Sequence, residues 1–353
     1  MTGSIPPYFK KYGILETIMK DKIGKTQKRV LQGMRPTGRL HLGNYLGTAK
    51  GMLALQEDPN YDTYYMVADL HGITTPFDPK KIRPDALSVM TDYLSIGLDP
   101  DKSALFLQSD LADLHTQLAY YFSSVVTIAR MQHLPTFKEK VKQYPEGSTM
   151  ALLNYPILMA SDILIYKASM VPVGLDQEPH MEVTREIARK MNDLYGMDFP
   201  EPQSLESKGR YIPSLTGEGK MSKSVEGSYI SLTDDLEVIK KKLAQAPTDS
   251  GKGSIIPKDG GVSNLLKLVE LFEGEKKRKV YEKQYESVGI SYNQLKFDLA
   301  DAIYKELKPI QERRKIYEED SSLVTRILKE GAEKARKVAE KTIKEVKEKI
   351  GLG

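Results

Sequence analysis

The chain has 353 residues, 52 Lys and Arg against 48 Asp and Glu, and a formal net charge of +4 at pH 7. That balance excludes a histone-like basic protein, and a charged fraction of 28% gives no support to disorder. Cysteine is absent, which excludes disulfides, thiolate zinc sites, cysteine-ligated iron–sulfur clusters and cysteine nucleophiles together.

At about 150 residues per domain, the length predicts two domains. No run approaches the ~20 apolar residues that a membrane span needs. The start, Met1-Thr-Gly-Ser-Ile-Pro-Pro-Tyr-Phe-Lys-Lys, lacks an apolar stretch after its basic residues. The expectation is a cytoplasmic protein without a membrane partner.

Residues 1–28 are Lys-rich with scattered Tyr and Ile, and read as an N-terminal extension. The first strong strand is Arg29-Val-Leu-Gln-Gly-Met34, followed by strands near Tyr64–Val67 and Ala104–Gln108 with a helix from about Pro84 to Ile96 between them. A helix-rich middle precedes an extended segment at Ala168–Val173 and an amphipathic helix from about Asp176. Strands separated by helices predict an α/β protein with a Rossmann-like, helix-covered parallel sheet over residues 29–225. In such sheets ligands sit at the carboxyl ends of strands where strand order reverses, which directs attention to Gly33–Gly47, Asp69–His71 and Gly174–Gln177.

From 226 to 353 Lys and Glu increase and the chain reads as an all-helical domain. Ser263–Phe272 is one amphipathic helix, with Ser263 available as a cap. The last helix spaces Val324, Ile327, Leu328, Ala332, Ala335, Val338, Ala339, Ile343, Val346 and Ile350 by three or four, so that face is a core or docking face.

Two segments carry chemistry. Gly33-Met-Arg-Pro-Thr-Gly-Arg-Leu-His-Leu-Gly-Asn-Tyr-Leu-Gly47 follows the first strand. Its glycines let backbone approach a ligand, a helix starting near Gly43 offers N–H groups to an anion, and Arg35, Thr37 and His41 add donors. It is neither a Rossmann Gly-x-Gly-x-x-Gly nor a Walker loop, and taken alone it also fits a plain glycine-rich connection. Gly217-Glu-Gly-Lys-Met-Ser-Lys-Ser-Val-Glu-Gly227 sets Lys220 and Lys223 beside two hydroxyls in a segment suited to close over a polyphosphate. Alone it also fits a solvated turn, and the Lys276–Lys279 cluster also fits a solvated face or a contact for RNA phosphates. His115, His133 and His180 show no ligand spacing, so no metal site is expected.

His41-Leu-Gly-Asn44 and Lys220-Met-Ser-Lys-Ser224 resemble, in order and context, the two signatures of the class I aminoacyl-tRNA synthetases. From Arg29 to the C-terminus the chain is similar to the bacterial-type tryptophan branch of that family. The likeness runs through Val67–Thr74, Tyr155–Asp162, Val171–Gln177 with His180–Arg185, Leu307–Arg313 and Gly331–Ala335. The resemblance implies ATP-dependent activation of L-tryptophan, with Mg²⁺, to an adenylate, and transfer to tRNA(Trp) by a homodimer with no structural metal. It makes residues 226–353 the part that recognises the anticodon, with the last helix a candidate to pack back on the catalytic domain, as it does in many relatives.

The same resemblance implies the site. Asp162 would take the indole N–H, Met159, His71 and Leu31 would line the indole, and Tyr155 and Gln177 would hold the α-amino group. Arg35, Pro36, Thr37, Gly43, Asn44, Gly174, Leu175, Asp176 and Ile212 would form the ATP site, with Asp176 at the ribose and Ile212 at the adenine. Lys220, Met221, Ser222, Lys223 and Ser224 would meet the phosphates, with Lys140 joining them, and His41, Lys220 and Lys223 would be catalytic. Asn44 replaces the second signature histidine, as in many tryptophan members, and Arg35 replaces a common Gln. Physics adds that an indole N–H only donates and a carboxylate only accepts. The tyrosine-specific sisters place a tyrosine where this chain has Leu31. A buried phenol oxygen without its second partner would cost ~1–3 kcal/mol, so the pocket reads as one for tryptophan.

Overall fold

The protein, as a computed structural model, is described over residues 27–36, 38–145, 148–206 and 212–353. Thr37 and residues 1–26 of the N-terminal extension lie outside the described residues. Five strands, β1 (Lys28–Met34), β2 (Tyr61–Val67), β3 (Ser103–Leu107), β4 (Met170–Val173) and β5 (Gln203–Glu206), form one sheet in the order β3-β2-β1-β4-β5. Every pairing is parallel, with Leu31 opposite Tyr64, Tyr65 opposite Leu105, and Val30 opposite Met170. The chain winds outward from β1 to β3, then returns to lay β4 on the other side of β1. The order therefore reverses between β1 and β4, and the crevice above their carboxyl ends is where a parallel sheet of this kind binds ligands.

Alternation along the strands builds two cores. Tyr65, Val67, Leu105 and Leu107 face one cluster, whereas Leu31, Tyr64, Met66 and Phe106 face the other. Burial on both faces is why these strands read as continuous apolar runs. The edge strand β5, Gln-Ser-Leu-Glu, has no such run, and sequence reading passes over it.

The helix after β1, here α1, runs as Leu42–Asn44, a wider π-helical turn Tyr45–Ala49, and Lys50–Gln56. Helix α2 is Pro79–Ile96. It starts ahead of the expected Pro84 because the Asp78 side chain caps the Lys80 N–H and Pro79 suits the first turn. Then follow α3 (Ala112–Ser123), α4 (Ile128–Gln132), α5 (Pro135–Gln143), α6 (Met150–Leu164) and α7 (Glu178–Tyr195). The helical remainder comprises α8 (Leu236–Gln245), α9 (Gly261–Glu273), α10 (Glu275–Glu286), α11 (Tyr292–Glu319) and α12 (Ser321–Lys349). Ser263 is not the cap of α9. Gly260 holds that place at φ 89°, and the Ser263 hydroxyl donates back to the Lys258 carbonyl.

Helix α12 lies against the edge strand β3. Its Val324, Ile327 and Leu328 enter one core, and Ala335, Ala339, Ile343 and Val346 enter the other. Gly331 makes this possible, since a Cβ there would fall 1.9 Å from the Leu105 carbonyl oxygen. A helix laid this closely on an edge strand protects it from other strands. Arg336 with Asp113, and Lys167 with Glu345, fasten the helix to α3 and to the residues before β4. In α10 the basic cluster is locally neutralised, Lys277 by Asp298, Arg278 by Glu270 and Glu282, and Lys279 by Glu275. No helix among the described residues is long and apolar enough to cross a membrane.

Candidate active site

The loop after β1 and the lysine loop meet physically. His41 caps α1, with its Nδ1 accepting from the Gly43 N–H at 3.0 Å, while the His41 N–H donates to Asn44 Oδ1 at 3.2 Å. A side chain at position 43 would strike the His41 ring at 2.8 Å, so glycine is required. Burial, aided by the Lys223 charge, pushes the His41 pKa down to about 4. The ring is therefore neutral near pH 7, and with Nδ1 accepting it carries its proton on Nε2, a donor suited to a phosphate oxygen.

Residues 40–42 are laced to the segment after the lysine loop, with the Leu42 N–H on the Ile230 carbonyl and the Leu232 N–H on the Leu40 carbonyl. Met221 is 4% exposed and sits in the same core as Ile212, whose carbonyl accepts its N–H. Ile212 is itself 3% exposed, a core placement. The Lys223 ammonium donates to the Gly38 carbonyl at 3.0 Å, and burial lowers its pKa although Asp92 and Asp85 act against this. Lys220 is exposed. The Ser222 and Ser224 hydroxyls bond each other at 2.8 Å, and Ser228 Oγ donates to the Ser222 carbonyl. Gly217, Gly219 and Gly227 all have positive φ, so these glycines set the loop's shape.

Asp92 braces the first loop from beneath. It accepts from the Leu40 N–H at 2.6 Å and pairs with Arg314 of α11. Gln311 of the same helix donates to the Leu232 and Asp234 carbonyls, and Arg313 to the Ser95 carbonyl. The conspicuous run Leu307–Arg313 thus holds both loops at fixed spacing.

On the other side of the crevice, Tyr155, Met159 and Asp162 lie on one face of α6, at i, i+4 and i+7. Asp162 is 3% exposed and accepts from Gln108 Nε2 at 2.7 Å, with His115 Nδ1 at 2.6 Å on the same oxygen and His71 Nε2 at 2.8 Å on the other. Burial pushes its pKa up, but the His115 and His71 hydrogen bonds outweigh that and hold it below the usual carboxylate range. A carboxylate has about four acceptor sites, and three are taken. The remaining site, on the oxygen bonded to His71, suits one further N–H or O–H donor. His115 is oriented from behind by Tyr166 OH at 2.8 Å.

Tyr155 joins a second network. Its hydroxyl lies 2.6 Å from His180 Nε2 and donates to Thr136 Oγ1 at 2.9 Å, and Thr136 Oγ1 is 2.7 Å from the same nitrogen. His180 Nδ1 is 3.0 Å from Gln177 Oε1, and Gln177 Nε2 donates to Asp176 Oδ2 at 2.7 Å. A Cβ at Gly174 would come within 2.6 Å of Asp176 Oδ1 and push that carboxylate aside. Leu175 is 78% exposed. Leu31 is buried in the core cluster that borders Met159. Arg35 donates to the His71 carbonyl at 3.2 Å and to Thr75 Oγ1, and Pro36 packs near Gly72, so both brace the turn that carries His71. Lys140 is engaged on its own helix, donating to Gln143 Oε1 and lying over the Tyr144 ring.

The model of the family "tRNA synthetases class I (W and Y)" matches residues 24–308. The chain belongs to this family. Among relatives, the tryptophan–tRNA ligase of Clostridium tetani is 38% identical over 331 residues, covering 92% of this chain and 96% of that protein. The tryptophan–tRNA ligase of Caldanaerobacter subterraneus is 40% identical over 332 residues, with 92% and 98% covered. A solved tryptophanyl-tRNA synthetase of Campylobacter jejuni, complexed with ADP and tryptophan, aligns with a TM-score of 0.82 at 33% identity, over 92% of this chain and all of that one. The class I fold of the family is the sheet described above.

Sequence reading gives no role to Gln108 and Tyr166 behind Asp162 or to Thr136 behind Tyr155, and it considers His115 and His180 only as histidines without metal-ligand spacing, the latter opening a run of family likeness. Only one of these has a local signal. Gln177 and His180 are three apart at the start of a helix, a spacing that puts side chains in contact.

Proposed function

We propose that the chain is a tryptophan–tRNA ligase, which activates L-tryptophan with ATP and transfers the tryptophanyl group to tRNA(Trp). The observation that carries this reading is Asp162, a buried ionised carboxylate with one acceptor site left on an otherwise donor-filled group. An indole N–H, which can only donate, matches that site, and the buried Leu31 offers no phenol partner for a tyrosine.

In activation, a substrate carboxylate oxygen bonds to the α-phosphorus as the bond to pyrophosphate breaks, so no protein nucleophile is required. The protein's work is alignment and charge stabilisation. Asp162, Met159, His71 and Leu31 receive the indole, and Tyr155 and Gln177 the α-amino group. Arg35, Pro36, Gly43, Asn44, Gly174, Leu175, Asp176 and Ile212 border the nucleotide, and His41, Lys220 and Lys223, with Lys140 in support, meet its phosphates. A Mg²⁺ carried by the ATP phosphates would spread their charge.

The helices beyond residue 225 serve the tRNA anticodon in a homodimer, with α12 returned to the sheet, and the reaction belongs to the cytoplasm. Pyrophosphate exchange into ATP, run with tryptophan and tyrosine side by side, tests the reading. Exchange with tryptophan alone is expected, whereas exchange with tyrosine alone overturns the assignment of Asp162 and Leu31. Lys223→Ala is expected to slow adenylate formation by roughly 100-fold while changing tryptophan affinity little.

A further inference from the structure

Polarity along the chain of contacts from Asp176 to Tyr155 is set one group at a time. The Asp176 carboxylate can only accept, so the Gln177 amide must present its Nε2 to it, 2.7 Å away. That leaves Gln177 Oε1 facing His180 Nδ1 at 3.0 Å, and because Oε1 can only accept, the imidazole proton must sit on Nδ1. Nε2 is then an acceptor, with two hydroxyls in reach, Tyr155 at 2.6 Å and Thr136 at 2.7 Å. Either Thr136 donates to Nε2 and Tyr155 to Thr136, or Tyr155 donates to Nε2 directly. In both arrangements the phenol proton points away from the substrate.

We propose that His180 is a positioning residue for the amino acid's α-ammonium group. Held in its Nδ1–H form by Gln177, it draws the Tyr155 proton inward so that Tyr155 presents only lone pairs to a group that can only donate. The proposal rests on the reading of Tyr155 and Gln177 as holders of the α-amino group. His180 is 1% exposed and keeps a neutral ring, since burial lowers its pKa to about 4 despite the nearby Asp176. A protonated ring, or one with its proton on Nε2, would remove the acceptor that draws these hydroxyl protons inward, leaving Thr136 alone to hold the Tyr155 proton away from the ammonium.

The test is binding of L-tryptophan and of indole-3-propionate, which lacks the amino group, to the full-length protein by titration calorimetry. The wild type is expected to favour tryptophan. His180→Leu is expected to weaken tryptophan by about tenfold and indole-3-propionate by less than about twofold, the loss appearing in KM and not in kcat. His180→Gln, whose carbonyl reaches Tyr155, is expected to restore most of the difference. In a Tyr155→Phe background the further loss from His180→Leu should vanish. If His180→Leu does not fold, His180→Asn, which reaches Gln177 but not Tyr155, takes its place with the same expected loss.

Equal weakening of both ligands, or of neither, overturns the proposal and leaves the α-amino reading standing. Equal binding of the two ligands by the wild type removes that reading, and the proposal with it.

Discussion

Two buried networks flank the amino-acid crevice, one centred on Asp162 and the other on His180, and they touch where the His71 and Tyr155 rings meet edge to face with centroids 6.3 Å apart. Burial penalises the charged form of both central groups. Around Asp162, donors arrive from three separate elements, and the group keeps its charge. Around His180 stand two hydroxyls and an amide oxygen, and the group stays neutral. The difference teaches that depth alone does not decide ionisation. What decides it is whether the partners can only donate, or can donate and accept in turn.

The largest effect is expected on breaking the charged network. Asp162→Asn replaces an acceptor with a donor facing donors, at about 1–3 kcal/mol for each group left unpaired, and should reduce tryptophan-dependent pyrophosphate exchange by about 100-fold or more. Thermal melts and exchange assays on one preparation check this, and a variant with wild-type stability and rate would count against the network.

A pH series separates the two networks. His41 and His180 have folded pKa values near 4, below the ordinary 6.5, so the unfolded chain binds their protons first and stability falls as pH drops from 6.5 to 4. Asp162, held below its ordinary 3.8, gives stability that persists to lower pH and is lost only beneath that value. His180→Gln is expected to flatten the upper window of a melting-temperature profile and leave the lower one in place. His180 faces Asp176 and His71 as well as its hydrogen-bond partners, so Asp176 opposes the shift and His71 adds to it.

The smallest effect is expected behind Asp162. Tyr166→Phe removes the hydroxyl that orients His115, at about 0.5–1.5 kcal/mol, with a small loss of exchange and no change in the upper pH window. Calorimetric melting of the variant measures it, and a loss as large as that of Asp162→Asn would mean that Tyr166 does more than orient.

Much of the fold is legible in the chain itself, because apolar strands alternating with amphipathic helices can bury both strand faces in few ways. Strand β5 is not legible, since four residues at a sheet edge need no apolar pattern. The helix start at Pro79 is hidden because Pro84 looks like a natural boundary, whereas the Asp78 cap decides the matter. The runs Leu307–Arg313 and Gly331–Ala335 stand out as family features without a visible purpose. Their roles emerge in three dimensions, where Gln311 and Arg313 grip carbonyls of distant segments and Gly331 lets a helix rest on Leu105. Asp162 and Tyr155 can be named from sequence by likeness. His71 is named the same way, but the supporting roles of His115 and His180 are not legible, since His115 is 47 residues from Asp162 and His180 is 25 from Tyr155.

The sequence by itself determined the class of fold and the two signature loops with their order. These follow from short spacings, which the local geometry of strand, turn and helix converts directly into position. Only the tertiary structure decided which histidine serves which oxygen, where the last helix lies, and how the lysine loop meets the first loop. Those outcomes depend on the docking of α3 and α7 against α6 and of α12 against β3, and no local spacing carries the information on how such surfaces meet.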